Sequence, residues 1–226
     1  MTDNIIYVPI GFQCTTAEIL KKLKKRICSF PFDWIISTPE SIIKLLTILL
    51  DKTTNIKNFV NEEFFKIDGL LHFLKPEEFI LHPQGNILFN SKYNLIFPHF
   101  QYNTETIEKF IKRFDRLRNY ILYSSNKINF VFVNRLITDD NDTVNNNILK
   151  FSINNKNINL NVKNSFTQLN NLLLQYIPSD RFKIIIINAV KNNNNAYIFD
   201  KNIIYNELIP LNNSNLTDEE IMQIII

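Results

Sequence analysis

Two uninterrupted apolar runs constrain this chain more than anything else in it: "INFVFVN" at 128–134 and "FKIIIINAV" at 182–190. A strand with one face in water alternates apolar and polar residues. A strand buried on both faces has no need to, and such strands belong to mostly parallel sheets covered by helices. Parallel neighbours must be joined by a long crossover, usually a helix. The runs therefore predict helices elsewhere in the chain. A third short run, "IIYVP" at 5–9, reads as a further buried strand.

Helical periodicity is present where the crossovers need it. Residues 15–26 place Ala17, Leu20 and Leu23, and Ile27 just beyond, at helical spacing with lysines between them. "STPE" at 37–40 reads as a helix start, with Ser37 or Thr38 as cap, Pro39 in the first turn and Glu40 at the positive end. Its apolar stripe runs to about Leu50. Ile107, Phe110, Ile111, Phe114, Leu117 and Ile121 predict the longest helix, over 104–123, capped by Thr104. Further helices are expected near 165–176 and over 217–226, the latter capped by Thr217 with Asp218, Glu219 and Glu220 in its first turn. Short helices are expected around 62–65 and 76–79. "NSK" separates two apolar stretches in a hairpin at 87–97, and 196–209 reads as a closing pair of strands. The tract Asn192–Asn195 reads as a loop, and the Asn-rich segment 139–164 supports no assignment. The order of elements predicts an α/β fold: one domain over 1–226, with a central mostly parallel sheet flanked by helices and one or two hairpins.

Composition narrows the function. Apolar residues make up 45% and charged residues 21%, enough for a sizeable core. A net charge of +3, with no basic stripe interleaved with aromatics, argues against a nucleic-acid partner. The densest basic run, Lys21 to Arg26, reads as a solvated helix face. Two cysteines, Cys14 and Cys28, are too few for a disulfide framework, so free thiols in a reducing compartment are expected. Polar Thr2, Asp3 and Asn4 before a short apolar run predict no signal peptide. No stretch reaches the ~18 apolar residues of a membrane span, and a soluble cytoplasmic protein is the expectation. Neither metal nor cofactor is expected. The two cysteines and three histidines are scattered away from zinc spacing. Three glycines in the whole chain leave no GxGxxG or GxxxxGK[ST] loop, and GxSxG is absent too.

Cys14 stands at a strand-to-helix turn, the carboxyl edge of a sheet strand, where α/β folds usually bind ligands. Unpaired N–H groups at a helix start favour a thiolate; a small buried residue is the alternative. Of the three histidines, His72 sits among apolar residues and His82 at a turn before Pro83. His99 follows "NLIFP", where Pro98 stops the ladder and presents the next residue at a sheet end. Asp33 lies in the apolar "SFPFDW", where a carboxylate must be exposed, paired or hydrogen-bonded. It orients a histidine, binds a ligand hydroxyl, or caps the next helix. Asn134 and Arg135 end the strand at 128–134, with Arg135 an anion ligand or the partner of a nearby acid.

"VPIGFQCTTAEILKKLKKRICSFPFDW" resembles the opening of the papain-like cysteine peptidase family, formerly a domain of unknown function. The likeness lies in a Gly-x-x-Cys-x-x-Ala turn at Gly11, Cys14 and Ala17, and a Ser-x-Pro-Phe-Asp-Trp segment at Ser29, Pro31, Phe32, Asp33 and Trp34. "YNLIFPHF" at 93–100 is similar to a further family segment, with Asn94 in place of Gly. Arg113, Arg116 and Arg118 match its Arg-rich helix. The likeness covers residues 5–135.

The resemblance implies a cysteine hydrolase with Cys14 as nucleophile, His99 as base and Asp33 in an orienting role. Gln13 is then a candidate oxyanion donor, and Trp34, Asn134 and Arg135 candidate substrate-binding residues. The partner is a peptide or a small polar or anionic substrate. A papain-type cysteine opens a long helix against an antiparallel barrel-like sheet, whereas this chain reads as buried parallel strands. Two rivals follow: an α/β group transferase using sugar nucleotides, and a non-catalytic binding module.

Overall fold

The computed structural model describes residues 5–12, 14–65, 69–71, 87–90, 92–100, 102–138, 143–144, 158–191, 195–211 and 215–225. In chain order, the first part runs β1 (Ile5–Pro9), α1 (Thr15–Lys22), β2 (Ile36–Ser37), α2 (Pro39–Leu50) and α3 (Ile56–Phe59), which continues into a π-helical turn at Val60–Phe64. Then come β3 (Gly69–Leu71), β4 (Ile87–Asn90), β5 (Leu95–Phe97), α4 (Thr104–Tyr123) and β6 (Lys127–Thr138). The chain closes with β7 (Thr143–Val144), β8 (Ile158–Asn159), α5 (Val162–Leu174), β9 (Phe182–Val190), β10 (Asn195–Asp200), β11 (Ile203–Leu208) and α6 (Asp218–Ile225).

The apolar runs do what their composition predicts. β1, β6, β9 and β11 lie side by side and parallel, with β10 antiparallel at one edge and β7 and β8 continuing beyond β6. Residues alternate between the two faces of these strands. Phe130, Phe132, Ile184 and Ile186 point to one face, in a core shared with α2, α4 and α5. Val131, Val133, Ile185, Ile187 and Ala189 point to the other, against Ile19 and Leu20 of α1 and Ile221 and Ile225 of α6. Both faces are dry, which is why neither run needed to alternate. The fold is α/β, with a central parallel sheet flanked by helices.

β2, β5, β4 and β3 form a second, antiparallel sheet. Two short bridges join it to the first. Ile10 N–H donates to Val131 C=O at 2.8 Å, prolonging the pairing of β1 with β6. Ser37 N–H donates to Phe12 C=O at 3.3 Å, and Ser37 Oγ donates to Gly11 C=O at 3.4 Å. The strip Gly11–Phe12 is therefore held by both sheets.

The end of α1 and the cap of α4 differ from expectation. α1 ends at Lys22, short of the expected residue 26. Lys24 takes a left-handed backbone (φ 56°), and the N–H groups of Lys24 and Lys25 return to the carbonyls of Lys21 and Leu20. This is a Schellman stop with lysine where glycine is usual. Asn103, not Thr104, caps α4: its side chain accepts from Thr106 N–H at 2.8 Å. Of the two cap candidates for α2, Thr38 takes the role, accepting from Ser41 N–H at 3.2 Å. The helix expected around 76–79 lies outside the described residues, as does all of 139–157 except β7.

Candidate active site

Sequence-distant residues meet where the two sheets join. Cys14 stands at the N-terminal end of α1, just past the carboxyl end of β1. His99 follows β5 and Pro98. β5 pairs with β2, and β2 grips Gly11–Phe12, so the strip before Cys14 and the strand before His99 share a support. Cys14 Sγ lies 3.1 Å from His99 Nε2, although 85 positions separate them in the chain.

Trp34 steadies the imidazole. Its ring meets that of His99 edge-on, with centroids 5.9 Å apart. The turn that carries Trp34 is pinned by Phe30, Phe32 and Ile35, all fully buried. Asp33, wholly buried beside them, turns to Arg26. Arg26 Nε donates to Asp33 Oδ2 at 3.0 Å and its Nη2 contacts the same oxygen, while Nη2 also donates to Ser29 Oγ at 2.8 Å. Oδ1 of Asp33 has no hydrogen-bond partner in the structure. Asp33 thus faces Arg26 rather than His99, and it does not cap α2. The Arg26 guanidinium also lies over the Trp34 ring, 5.9 Å from its centre. Arg26 was expected on a solvated helix face. It falls beyond the end of α1 and folds back to the buried carboxylate, because a charge in that setting needs a partner.

The electrostatics also depart from expectation. A helix N-terminus favours a thiolate, yet burial, and secondarily the charge of Glu18 one turn on, push the Cys14 thiol up to about 11. Removing a thiolate from water outweighs the few N–H dipoles that face it. At neutral pH the Cys14 side chain is therefore a thiol. Burial also pushes the Asp33 carboxyl above its ordinary 3.8, against the pull of Arg26.

The remaining candidates sit elsewhere. Asn134 is buried in the sheet: its amide donates to Leu136 C=O and to Asn188 Oδ1, each at 2.8 Å, and its carbonyl accepts from Leu136 N–H. Arg135 pairs with Asp218 at the start of α6. Gln13, His72 and His82 lie outside the described residues. Both cysteines are free thiols. A hollow of about 710 Å³ lies against α2 and α3 and holds neither Cys14 nor His99. No helix of the described residues is long and apolar enough to cross a membrane.

Sequence reasoning missed the Arg26–Asp33 pair and the Trp34–His99 contact. The first was legible only as a buried acid needing a cation, with no sign of which cation. The second depends on a contact between two elements 65 residues apart and left no local trace.

A family model described as "Putative papain-like cysteine peptidase (DUF1796)" matches residues 5–171, most of the chain, and the chain belongs to that family. No curated protein and no solved structure matches it.

Proposed function

We propose that this member of the papain-like cysteine peptidase family is a cysteine hydrolase, with Cys14 as nucleophile and His99 as base and then acid. The observation that carries this reading is the 3.1 Å approach of Cys14 Sγ to His99 Nε2, which is within reach for direct proton transfer.

Because burial holds the thiol neutral, activation resembles that of a hydroxyl nucleophile more than that of a preformed ion pair. His99 takes the thiol proton as Sγ bonds to the carbonyl carbon of an amide or ester. The oxygen that becomes negative is met by the first-turn N–H groups of α1, at Thr15, Thr16 and Ala17, which have no partner within the helix. The C–N or C–O bond then breaks, and the imidazolium returns its proton to the leaving amine or alcohol. Water, deprotonated by His99, attacks the resulting thioester and releases the acid and the thiol. Trp34 restrains the ring that moves these protons, and the Arg26–Asp33 pair holds the turn that carries Trp34.

The test is acyl-enzyme formation. With an activated ester such as p-nitrophenyl acetate, intact-mass measurement is expected to show one acyl group on Cys14. Cys14→Ala is expected to abolish it, and His99→Ala to slow it by roughly a hundredfold or more. An acyl group placed elsewhere, or labelling indifferent to His99, overturns the assignment.

A further inference from the structure

One arginine that packs beside the Arg26–Asp33 pair has no part in the chemistry above. Arg113 and Arg116, one turn apart on α4, face the segment that carries Arg26 and Asp33. Arg116 is committed: its Nη1 donates to Ser29 C=O at 2.5 Å. Arg26 is committed to Asp33. Arg113 is not. Its guanidinium lies over the rings of Phe100 and Phe110, at 5.5 and 5.0 Å, and its Nη1 is buried with no hydrogen-bond partner in the structure.

Such an arrangement is costly unless something completes it. A buried guanidinium N–H without an acceptor loses its water and gains nothing in return. Among the described residues Asp33 is the carboxylate that favours the Arg113 cation, while Arg26 and Arg116 both oppose it. Among the described residues, three guanidiniums gathered around one carboxylate leave two positive charges in excess. Burial and this repulsion make the cation less stable. The aromatic shelf beneath it fixes the plane of the fork, which suits recognition of a two-oxygen anion. The location is informative too. Phe100, under the guanidinium, is the residue next to His99, and Trp34, under Arg26, touches the His99 ring. The cluster is thus linked to His99 through its chain neighbour Phe100 and through the Trp34 ring.

We propose that Arg113, backed by Arg26 and Arg116, is an anion subsite that selects acyl substrates carrying a carboxylate close to the bond attacked, as in an acidic peptide. This rests on the hydrolase reading for the identity of the acyl chemistry, though the subsite itself is testable without it.

Two matched alkylating reagents provide the test. Iodoacetate carries the carboxylate and iodoacetamide does not, and peptide mass mapping reads the rate at Cys14 apart from the second free thiol, Cys28. The ratio of their rate constants is expected to exceed that of free cysteine by about tenfold at low salt, and to fall toward it in roughly 0.5 M NaCl. Arg113→Gln is expected to lower the ratio to near the free-cysteine value, and Arg113→Lys to retain part of it. A ratio equal to that of free cysteine in the unmodified protein overturns the proposal, whether or not the variants fold. A second readout does without the thiol. In Cys14→Ser, succinate is expected to raise Tm and neutral succinamide is not, with the rise lost on adding Arg113→Gln. Equal effects of the two compounds, or a rise indifferent to Arg113, also overturn it. If Cys14 resists both reagents while succinate still stabilises through Arg113, the hydrolase reading fails and the subsite stands.

Discussion

At the scale of single residues, the unusual quantity is the proton on Cys14. The folded chain keeps it to about 11, above the thiol's ordinary 9.0, so the native state binds a proton that the unfolded state has released. Stability must therefore fall as pH rises through that window. Unfolding free energy measured in urea is expected to decline between about pH 9 and 11, and the decline to be shallower in Cys14→Ala. Tyr93, which burial and its bond to Glu63 push up from 10.0 to about 12, contributes a similar decline that the Cys14 variant leaves in place. An equal slope in both proteins contradicts the assignment. Glu18 adds to the effect because a negative charge opposes a second one nearby. Glu18→Gln is expected to shift the pH midpoint of iodoacetamide alkylation of Cys14 downward, and an unmoved or raised midpoint refutes that cause.

At the scale of elements, helix ends decide geometry that periodicity leaves open. α1 stops because Lys24 adopts a left-handed backbone, a conformation that costs a residue with a Cβ about 1 kcal/mol. Lys24→Gly is expected to stabilise the protein by about 0.5–1 kcal/mol in urea unfolding, since glycine carries no such penalty in this position. A loss of stability would show that the lysine side chain does more than tolerate the turn. α6 begins with a reciprocal box: Glu220 N–H donates to Thr217 Oγ1 at 3.3 Å and Thr217 N–H donates to Glu220 Oε2 at 2.7 Å. Thr217→Ala is expected to cost about 1 kcal/mol, measured in the same way. The Thr217 cap was readable directly from spacing. The α4 cap was not, because Asn103 and Thr104 are adjacent and both are good capping residues; only the backbone entering the helix chooses between them.

At the scale of the whole molecule, buried polar pairs tie layers together. Asn134 on β6 donates to Asn188 on β9, and Asn188 Nδ2 donates to Tyr205 Oη on β11 at 3.2 Å, across three neighbouring parallel strands. The side chains are fully or almost fully buried. Asn188→Leu is expected to cost about 1–3 kcal/mol, because it leaves polar groups on both neighbouring strands short of a partner. Arg26→Ala is expected to cost more, about 3–5 kcal/mol, by abandoning a carboxylate in the core. Its effect on Cys14 acylation should exceed what unfolding explains, since Trp34 and then His99 depend on that turn. If the rate is unchanged in the folded variant, the link from Asp33 to His99 is broken.

How much of this was present in the one-dimensional chain follows from where each force acts. Burial on both strand faces, helix periodicity and the Thr217 cap are local, so "INFVFVN", "FKIIIINAV" and the stripe Ile107 to Ile121 already specified a parallel α/β core and the helices over it. Cys14 and His99 stood out locally too, one by its strand-to-helix turn and the other by the proline before it. Their meeting did not. It depends on Gly11–Phe12 being held by β2, on β2 pairing with β5, and on the whole being pressed against the main sheet. The partner of Asp33 and the direction of the Cys14 shift were likewise decided only in three dimensions. Charge interactions and desolvation depend on what surrounds a group in space, and neighbours in the chain do not report it.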